Sequence, residues 1–121
     1  MRLAVVGSRD FTNHLLMRSR VDDIDAGGWI EAIVSGGAAG ADSLAPIIAQ
    51  GLEVPCTVHK PEWDKHGKAA GFIRNQAIVD DADAVAAFFG PGPETKGTQD
   101  TIRRARKARK PVHIYYQREA P

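Results

Sequence analysis

Ala32-Ile33-Val34-Ser35-Gly36-Gly37-Ala38-Ala39-Gly40-Ala41-Asp42 passes from an apolar run, through a glycine loop, into a segment of helical composition. Four more short apolar runs stand at 3–6, 54–59, 84–89 and 112–116, with segments of helical length between them. Apolar strands that alternate with helices mark a parallel sheet covered on both faces, because neither side of such a strand meets water. Right-handed crossovers then predict an α/β fold. It is a Rossmann-like three-layer sandwich whose five-stranded parallel sheet has the order 3-2-1-4-5, with helices on both faces.

The helix ends follow from capping chemistry. Thr12 or Asn13 caps the first helix, which runs to about Asp25 and stops at Gly27-Gly28. The second spans 41–50, with Gly51 just past its end. Pro46 is the difficulty, since an interior proline costs about 3 kcal/mol. A start near Asp42 or Ser43 would bring it close to the tolerant first turn. The third helix spans 68–79 and the fourth 98–109, ended by Pro111.

The 121 residues, 43% of them hydrophobic, suffice for one core without a disulfide or structural metal. They are expected to form a single domain over 1–117 with a short tail at 118–121. Sixteen basic against fifteen acidic residues give a net charge of +1, unlike the strongly basic balance of a dedicated nucleic-acid domain. No apolar run approaches the roughly 20 residues that span a membrane, and residues 1–7 read as a strand rather than a signal peptide. A soluble, cytoplasmic protein without a membrane partner is the expectation. Cys56 is the single cysteine, which excludes an internal disulfide and a multi-cysteine zinc site; it reads as a core residue rather than a nucleophile. His14, His59, His66 and His113 show no ligand spacing, so neither a metal nor a cofactor is expected.

In such a sheet, ligands bind beyond the carboxyl ends of the strands, where strand order reverses. Three unusual loops fall there: Gly7-Ser8-Arg9-Asp10, then Ser35 to Asp42, then Gly90-Pro91-Gly92-Pro93 leading to Lys96-Gly97-Thr98. Gly36, Gly37 and Gly40 allow positive φ and close approach to a ligand, and the amides of the loop precede a helix N-terminus that attracts anions. Phosphate is the obvious anion, although a tight structural turn explains such a loop equally well. The loop lacks the Gly-Lys-Ser/Thr ending of a Walker motif. Gly97-Thr98 offers a second nest, in which Thr98 either caps the helix or binds phosphate. Arg9 and Arg74 are candidate phosphate forks, against the plainer reading of surface salt bridges. Asn75 can read a ribose hydroxyl or a base edge. Asp42 either binds ribose hydroxyls or caps the second helix. Trp63, in the polar linker 59–66, either stacks on a base or fastens the linker down. The candidate ligand-binding set is Gly7, Ser8, Arg9, Ser35, Gly36, Gly37, Ala38, Gly40, Ala41, Asp42, Trp63, Arg74, Asn75, Gly90, Lys96, Gly97 and Thr98. No catalytic residue is assigned.

Residues 103–110 carry six positive charges in eight positions. They either neutralise nucleic-acid phosphates or form a solvated helix face, with Ile102, Ala105 and Ala108-Arg109 turned inward. The charge balance elsewhere favours the solvated face.

Four pieces in this order resemble the SLOG superfamily, which includes the LOG phosphoribohydrolases and the DprA/Smf proteins, and more narrowly its small YspA-like branch. They are Val5-Val6-Gly7-Ser8-Arg9-Asp10-Phe11, the stretch from Val34 to Asp42, Lys68-Ala69-Ala70-Gly71-Phe72-Ile73-Arg74-Asn75, and Lys96-Gly97-Thr98. The resemblance implies a Rossmann-like fold whose glycine-rich loops bind a nucleotide or a nucleotide-derived ligand. It also implies a homo-oligomer, since relatives often assemble through helices beside the site. In LOG enzymes, an arginine corresponding to Arg74 and the glutamate of a Gly-Thr-x-x-Glu motif support cleavage of the N-glycosidic bond of a nucleoside monophosphate. Arg74 matches, but the glutamate position is Thr101. Asp100, one residue earlier, points about 100° away on a helix.

Three functions follow. The first is binding of a small nucleotide derivative, ADP-ribose-like or a cyclic nucleotide signal, for sensing or sequestration. The second is LOG-like phosphoribohydrolase activity, with Arg74 on phosphate and Asp42, Asp100 or Glu94 for acid/base work. The third and weakest is single-stranded nucleic-acid binding through Arg103, Arg104 and Arg106.

Overall fold

Five strands alternate with helices along the chain: β1 (Arg2–Gly7), β2 (Ala32–Ser35), β3 (Cys56–Val58), β4 (Ala84–Phe89) and β5 (Val112–Tyr116). The helices are α1 (His14–Ile24), α2 (Ala41–Leu52), α3 (Trp63–His66), α4 (Ala70–Asp81) and α5 (Lys96–Lys107), with a 3-10 turn at Gly67–Ala69 between α3 and α4. This computed structural model describes residues 1–93 and 95–117. Every pairing is parallel and the strand order is β3-β2-β1-β4-β5, as the alternation of apolar runs predicts.

The strands are apolar on both faces because they feed two cores. Leu3, Val5, Ile33, Ala86 and Phe88 pack with Met17 and Val21 of α1 and with Ala45 and Ile48 of α2. Their neighbours Ala4, Val6, Val34, Val85, Ala87 and Phe89 turn to the opposite face, against Ile78 and Val79 of α4 and Ile102 and Ala105 of α5. Side chains of a strand alternate between faces, so the two helix layers are drawn to opposite sides of one sheet. Strand order reverses between β1 and β4, which places their carboxyl ends side by side.

The ends of the elements depart from expectation in informative ways. Asn13, not Thr12, caps α1, its side chain accepting from the Leu16 amide at 3.0 Å. Helix α2 continues through Gly51 to Leu52, and Glu53, not Gly51, takes the left-handed conformation (φ 60°) past its end. The exit consumes Val54, whose amide donates to Ala49, so β3 is shorter than the apolar run 54–59. Trp63 is not in a linker but opens α3. Gly67 (φ 55°) stops that turn, and the helix expected over 68–79 is α4, which starts at Ala70 after the 3-10 turn and runs on to Asp81. Helix α5 starts two residues before Thr98 and ends at Lys107, with Arg109 left-handed at φ 59°. Ala108 and Arg109 are therefore exposed rather than inward.

Pro46 sits deeper in α2 than expected, because the helix already begins at Ala41. A proline there cannot donate to the carbonyl four residues back, that of Asp42. The Ser35 hydroxyl supplies the missing donor, reaching the Asp42 carbonyl at 3.1 Å from the end of β2. The strand thus repairs the helix that comes after it.

Among the described residues, no helix is long and apolar enough to cross a membrane.

Candidate functional site

The carboxyl end of β1, the loop after β2, the middle of α4 and the start of α5 enclose a crevice of about 400 Å³. Val6 and Ile78 form apolar parts of its wall. Polar groups reach it from every side: Arg9 after β1, Ala38 and Asp42 from the β2 loop and α2, Arg74 and Asn75 from α4, Thr95 just before α5, and Gly97, Thr98 and Thr101 from α5. Eight of the expected ligand-binding residues line it: Gly7, Arg9, Ala38, Asp42, Arg74, Asn75, Gly97 and Thr98.

Backbone contact between loops explains two glycines. A Cβ on Gly7 would overlap the Phe88 carbonyl of β4 and come within 2.6 Å of the Ala41 Cβ. Gly40 has φ 75°, and a Cβ there would run into the backbone of Ser8 and Arg9. The Ala41 amide donates to the Ser8 carbonyl at 3.2 Å. The β1 and β2 loops therefore touch main chain to main chain, which aims α2 at the crevice.

Asp42 is the central acid. It is 6% exposed, although it lines the crevice. Burial pushes its carboxyl up to about 6, while the Arg74 guanidinium and the amides of Ala38, Gly7 and Gly36 pull the other way. The glycine loop expected to cradle phosphate therefore presents amides to a carboxylate of its own chain. The position that caps α2 is Gly40, not Asp42.

Arg74 is fixed at the crevice wall. Its Nη1 donates to the Gly36 carbonyl at 2.8 Å and its Nε to Asn75 Oδ1 at 3.0 Å. Asn75 in turn donates from Nδ2 to the Gly97 carbonyl at 3.2 Å and to Asp100 Oδ2 at 3.1 Å. Both amide hydrogens of Asn75 are thereby committed, and it holds α4 to α5 rather than offering a donor to a ribose. Asp100 is buried and gripped by Arg104 at 2.7 Å and Arg103 at 2.9 Å. Burial alone would raise its carboxyl, but the combined hydrogen bonds from Arg104, Asn75 and Arg103 hold it below the usual range. A carboxyl so stabilised in its charged form is a poor acid/base group near neutral pH. It lies outside the crevice lining, whereas Thr101 lies within it.

At the start of α5, Thr95 occupies the cap position without a side-chain cap hydrogen bond to the helix, and its hydroxyl donates to Thr98 Oγ1 at 2.8 Å. Thr98 is therefore not the cap. The first amides of the helix have no partner within the helix, the usual basis of an anion site.

The remaining expected residues do not line the crevice. Ser8 is buried; its hydroxyl donates to Asp10 Oδ1 at 2.7 Å and accepts from the Gly90 amide at 2.7 Å. Asp10 also accepts from the Gly92 amide at 2.7 Å. The Ser8 hydroxyl, with the Gly92 amide, holds the Asp10 carboxyl low. Ser8 and Gly90 thus knit the β1 loop to the β4 loop. Ser35 serves the Asp42 carbonyl and accepts from the Gly37 amide at 3.3 Å. Gly36 is buried beneath Arg74 and Asp42, while Gly37 (φ 72°) is exposed beside Val58 and Lys60. Ala41 is core. Lys96 is exposed on the first turn of α5. Trp63 is 59% exposed beside Gly71, away from the crevice. Glu94, an acid/base candidate, and the tail 118–121 lie outside the described residues.

Val6, Ile78, Thr95 and Thr101 were missing from the expected set. Two had a readable signal: Ile78 is four residues after Arg74 and Thr101 four after Gly97, the spacing that shares a helix face. Cys56 packs at the edge of the first core, and burial raises its thiol. In the basic cluster, Arg103 and Arg104 hold Asp100, and Lys110 donates to the Val79 carbonyl at 2.6 Å. Half of its charges thus serve the fold.

The model of the YspA, cpYpsA-related SLOG family matches residues 1–66. The Gene 61 protein of Mycobacterium phage D29 is 33% identical over 118 residues, covering 92% of this chain and 93% of that protein. No solved structure matches. The matched residues hold β1, its Gly-Ser-Arg-Asp loop, and the β2 loop with Asp42. This chain belongs to the YspA, cpYpsA-related SLOG family.

Proposed function

We propose that this member of the YspA, cpYpsA-related SLOG family binds a phosphorylated, nucleotide-derived small molecule in the crevice, and holds it intact for sensing or sequestration. Family membership supports nucleotide-related ligand binding in general. The observation that carries the finer reading is the convergence of two arginines, Arg9 and Arg74, and the start of α5 on one crevice. Guanidinium forks and unpaired helix amides are the groups that recognise phosphate. A volume of about 400 Å³ lies at the small end of the ligand-site range of about 300–1,000 Å³, which favours a compact ligand.

Retention rather than cleavage is favoured by the clamp on Asp100 and by Thr101 standing where LOG enzymes carry a glutamate. The cleaving alternative has one supporting observation, the Asp42 carboxyl raised to about 6 within the crevice.

The test is native mass spectrometry of the purified protein with a panel of AMP, ADP-ribose, NAD and cyclic dinucleotides, repeated on Arg74→Ala. The expected result is retention of an intact phosphorylated ligand and its loss from the variant, with nucleosides little affected. Release of free base, with ribose phosphate left behind, would establish cleavage. Failure of every phosphorylated compound to bind would refute the nucleotide site.

A further inference from the structure

We propose that Asp42 reads the sugar of the ligand: its carboxylate accepts hydrogen bonds from a vicinal pair of ribose hydroxyls, so the site prefers ribose to deoxyribose compounds. The inference rests on the nucleotide-site reading above and orients the ligand within it, with hydroxyls toward α2 and the anion toward Arg9 and the α5 start.

Asp42 has the backbone amides of Ala38, Gly7 and Gly36 as donors, and it faces the crevice, where a donor on the ligand can also reach it. Asp42 is 6% exposed, and among the described residues no ion pair or side-chain hydrogen bond reaches its carboxylate. Arg74, the nearest cation, spends Nη1 on the Gly36 carbonyl and Nε on Asn75. Three amides, of Ala38, Gly7 and Gly36, favour the charged form, but burial outweighs them. A buried carboxylate of this kind is stabilised by any further donor that enters the crevice.

Charge then selects the donor. A phosphate on the β2 loop would stand against the Asp42 carboxylate and compete for the same amides. A ligand cation would meet Arg9 and Arg74 in the same crevice. Neutral hydroxyl donors suffer neither repulsion, and a vicinal diol matches the two oxygens of one carboxylate. The β2 glycines on this reading do not bind phosphate. They let the chain bring its amides and backbone close enough to hold the acid that reads the sugar.

The experiment uses probes that contain no base. Ribose 5-phosphate, 2-deoxyribose 5-phosphate and inorganic phosphate are titrated into the protein, with affinities by calorimetry and sites by ¹⁵N amide shifts. The wild-type protein is expected to bind ribose 5-phosphate about tenfold more tightly than the deoxy sugar, the loss of one hydrogen bond to a charged group. Asp42→Ala is expected to bring the two within about twofold, with inorganic phosphate shifting Gly97 and Thr98 in both proteins. Wild-type discrimination needs no variant, so a misfolded Asp42→Ala does not spoil the test. Equal binding of the two sugars by the wild-type protein, with shifts at Gly97 and Thr98, overturns this inference and spares the nucleotide site. Inorganic phosphate that shifts Gly36 and Ala38 rather than Gly97 and Thr98 also overturns it, because the β2 loop is then the phosphate nest. Absence of binding by these probes and by the nucleotide panel overturns both readings.

Discussion

Asp42→Asn is expected to stabilise the protein at neutral pH and to change nothing in strong acid, because burial penalises the charged carboxyl. The ordinary value for aspartate is 3.8, and in the folded protein Asp42 rises to about 6. At about 1.4 kcal/mol per pH unit, that difference corresponds to about 3 kcal/mol. The sign follows from proton binding. Between pH 3.8 and about 6 the folded state holds a proton that the unfolded state has lost, so stability falls as pH rises through this window. Below it both states are protonated and the penalty vanishes; above it the penalty is complete. Asparagine never ionises, but it offers the three surrounding amides one acceptor oxygen instead of two. A gain of about 2 kcal/mol at pH 7 is therefore expected, about 8 °C in Tm for a domain of this size. The assay is thermal unfolding of both proteins by circular dichroism from about pH 3.5 to 8, a range that brackets both ends of the window. Asp10, Asp81 and Asp100 have lowered values and contribute the opposite slope, with stability lost as pH falls. They are common to both proteins, so the difference between the two curves isolates Asp42. A difference that is constant with pH, or that favours the wild type at pH 7, would refute the account of Asp42 as a desolvated acid facing the crevice.

Three further outcomes test the frame around the site. Ser35→Ala should cost about 1–2 kcal/mol in urea unfolding, since it strands the Asp42 carbonyl; in a Pro46→Ala background, where an amide returns to that carbonyl, the cost should shrink markedly, and an unchanged cost would break the link. Gly40→Ala should lose about 3 kcal/mol or more, because positive φ and overlap with the Ser8 and Arg9 backbone coincide there; wild-type-like stability would mean that the loops do not touch. Asp100→Ala should destabilise by about 2 kcal/mol at pH 7 by freeing Asn75 and Arg104, with the deficit narrowing as acid protonates Asp100 in the wild type; a deficit that persists at the lowest pH would assign it to packing instead.

The topology was legible because it depends on pattern alone. Runs such as 84–89, apolar at every position, read as strands covered on both faces because segments of helical length alternate with them, and parallel strands need crossovers whose hand is set by sterics. Helix ends were less legible. Gly51 carries a strong stop signal, yet α2 passes through it, since Leu52 still packs against the core. The helix α3 ahead of Gly67 was not read, because four residues carry no hydrophobic period in the sequence.

Residue types at the site were also legible, and their partners were not. Arg9, Asp42, Arg74 and Thr98 line one crevice drawn from four parts of the chain. Ser8, Ser35 and Gly90 carry equally suggestive chemistry and are spent on holding loops and a proline-broken helix together. A hydroxyl reads the same in sequence whether it faces a ligand or an orphaned carbonyl.

By itself the sequence determined the five-stranded parallel sheet, the edge where its loops gather, and the family to which the chain belongs, because hydrophobic period and local motifs are properties of neighbours along the chain. Only the tertiary structure decided that Asp42 faces its own glycine loop, that Asn75 and Asp100 bind helices together, and that Trp63 stands apart. Those outcomes depend on which groups meet after β1, β2, α4 and α5 converge. Burial and hydrogen-bond competition among residues distant in sequence then set what each side chain has left to offer.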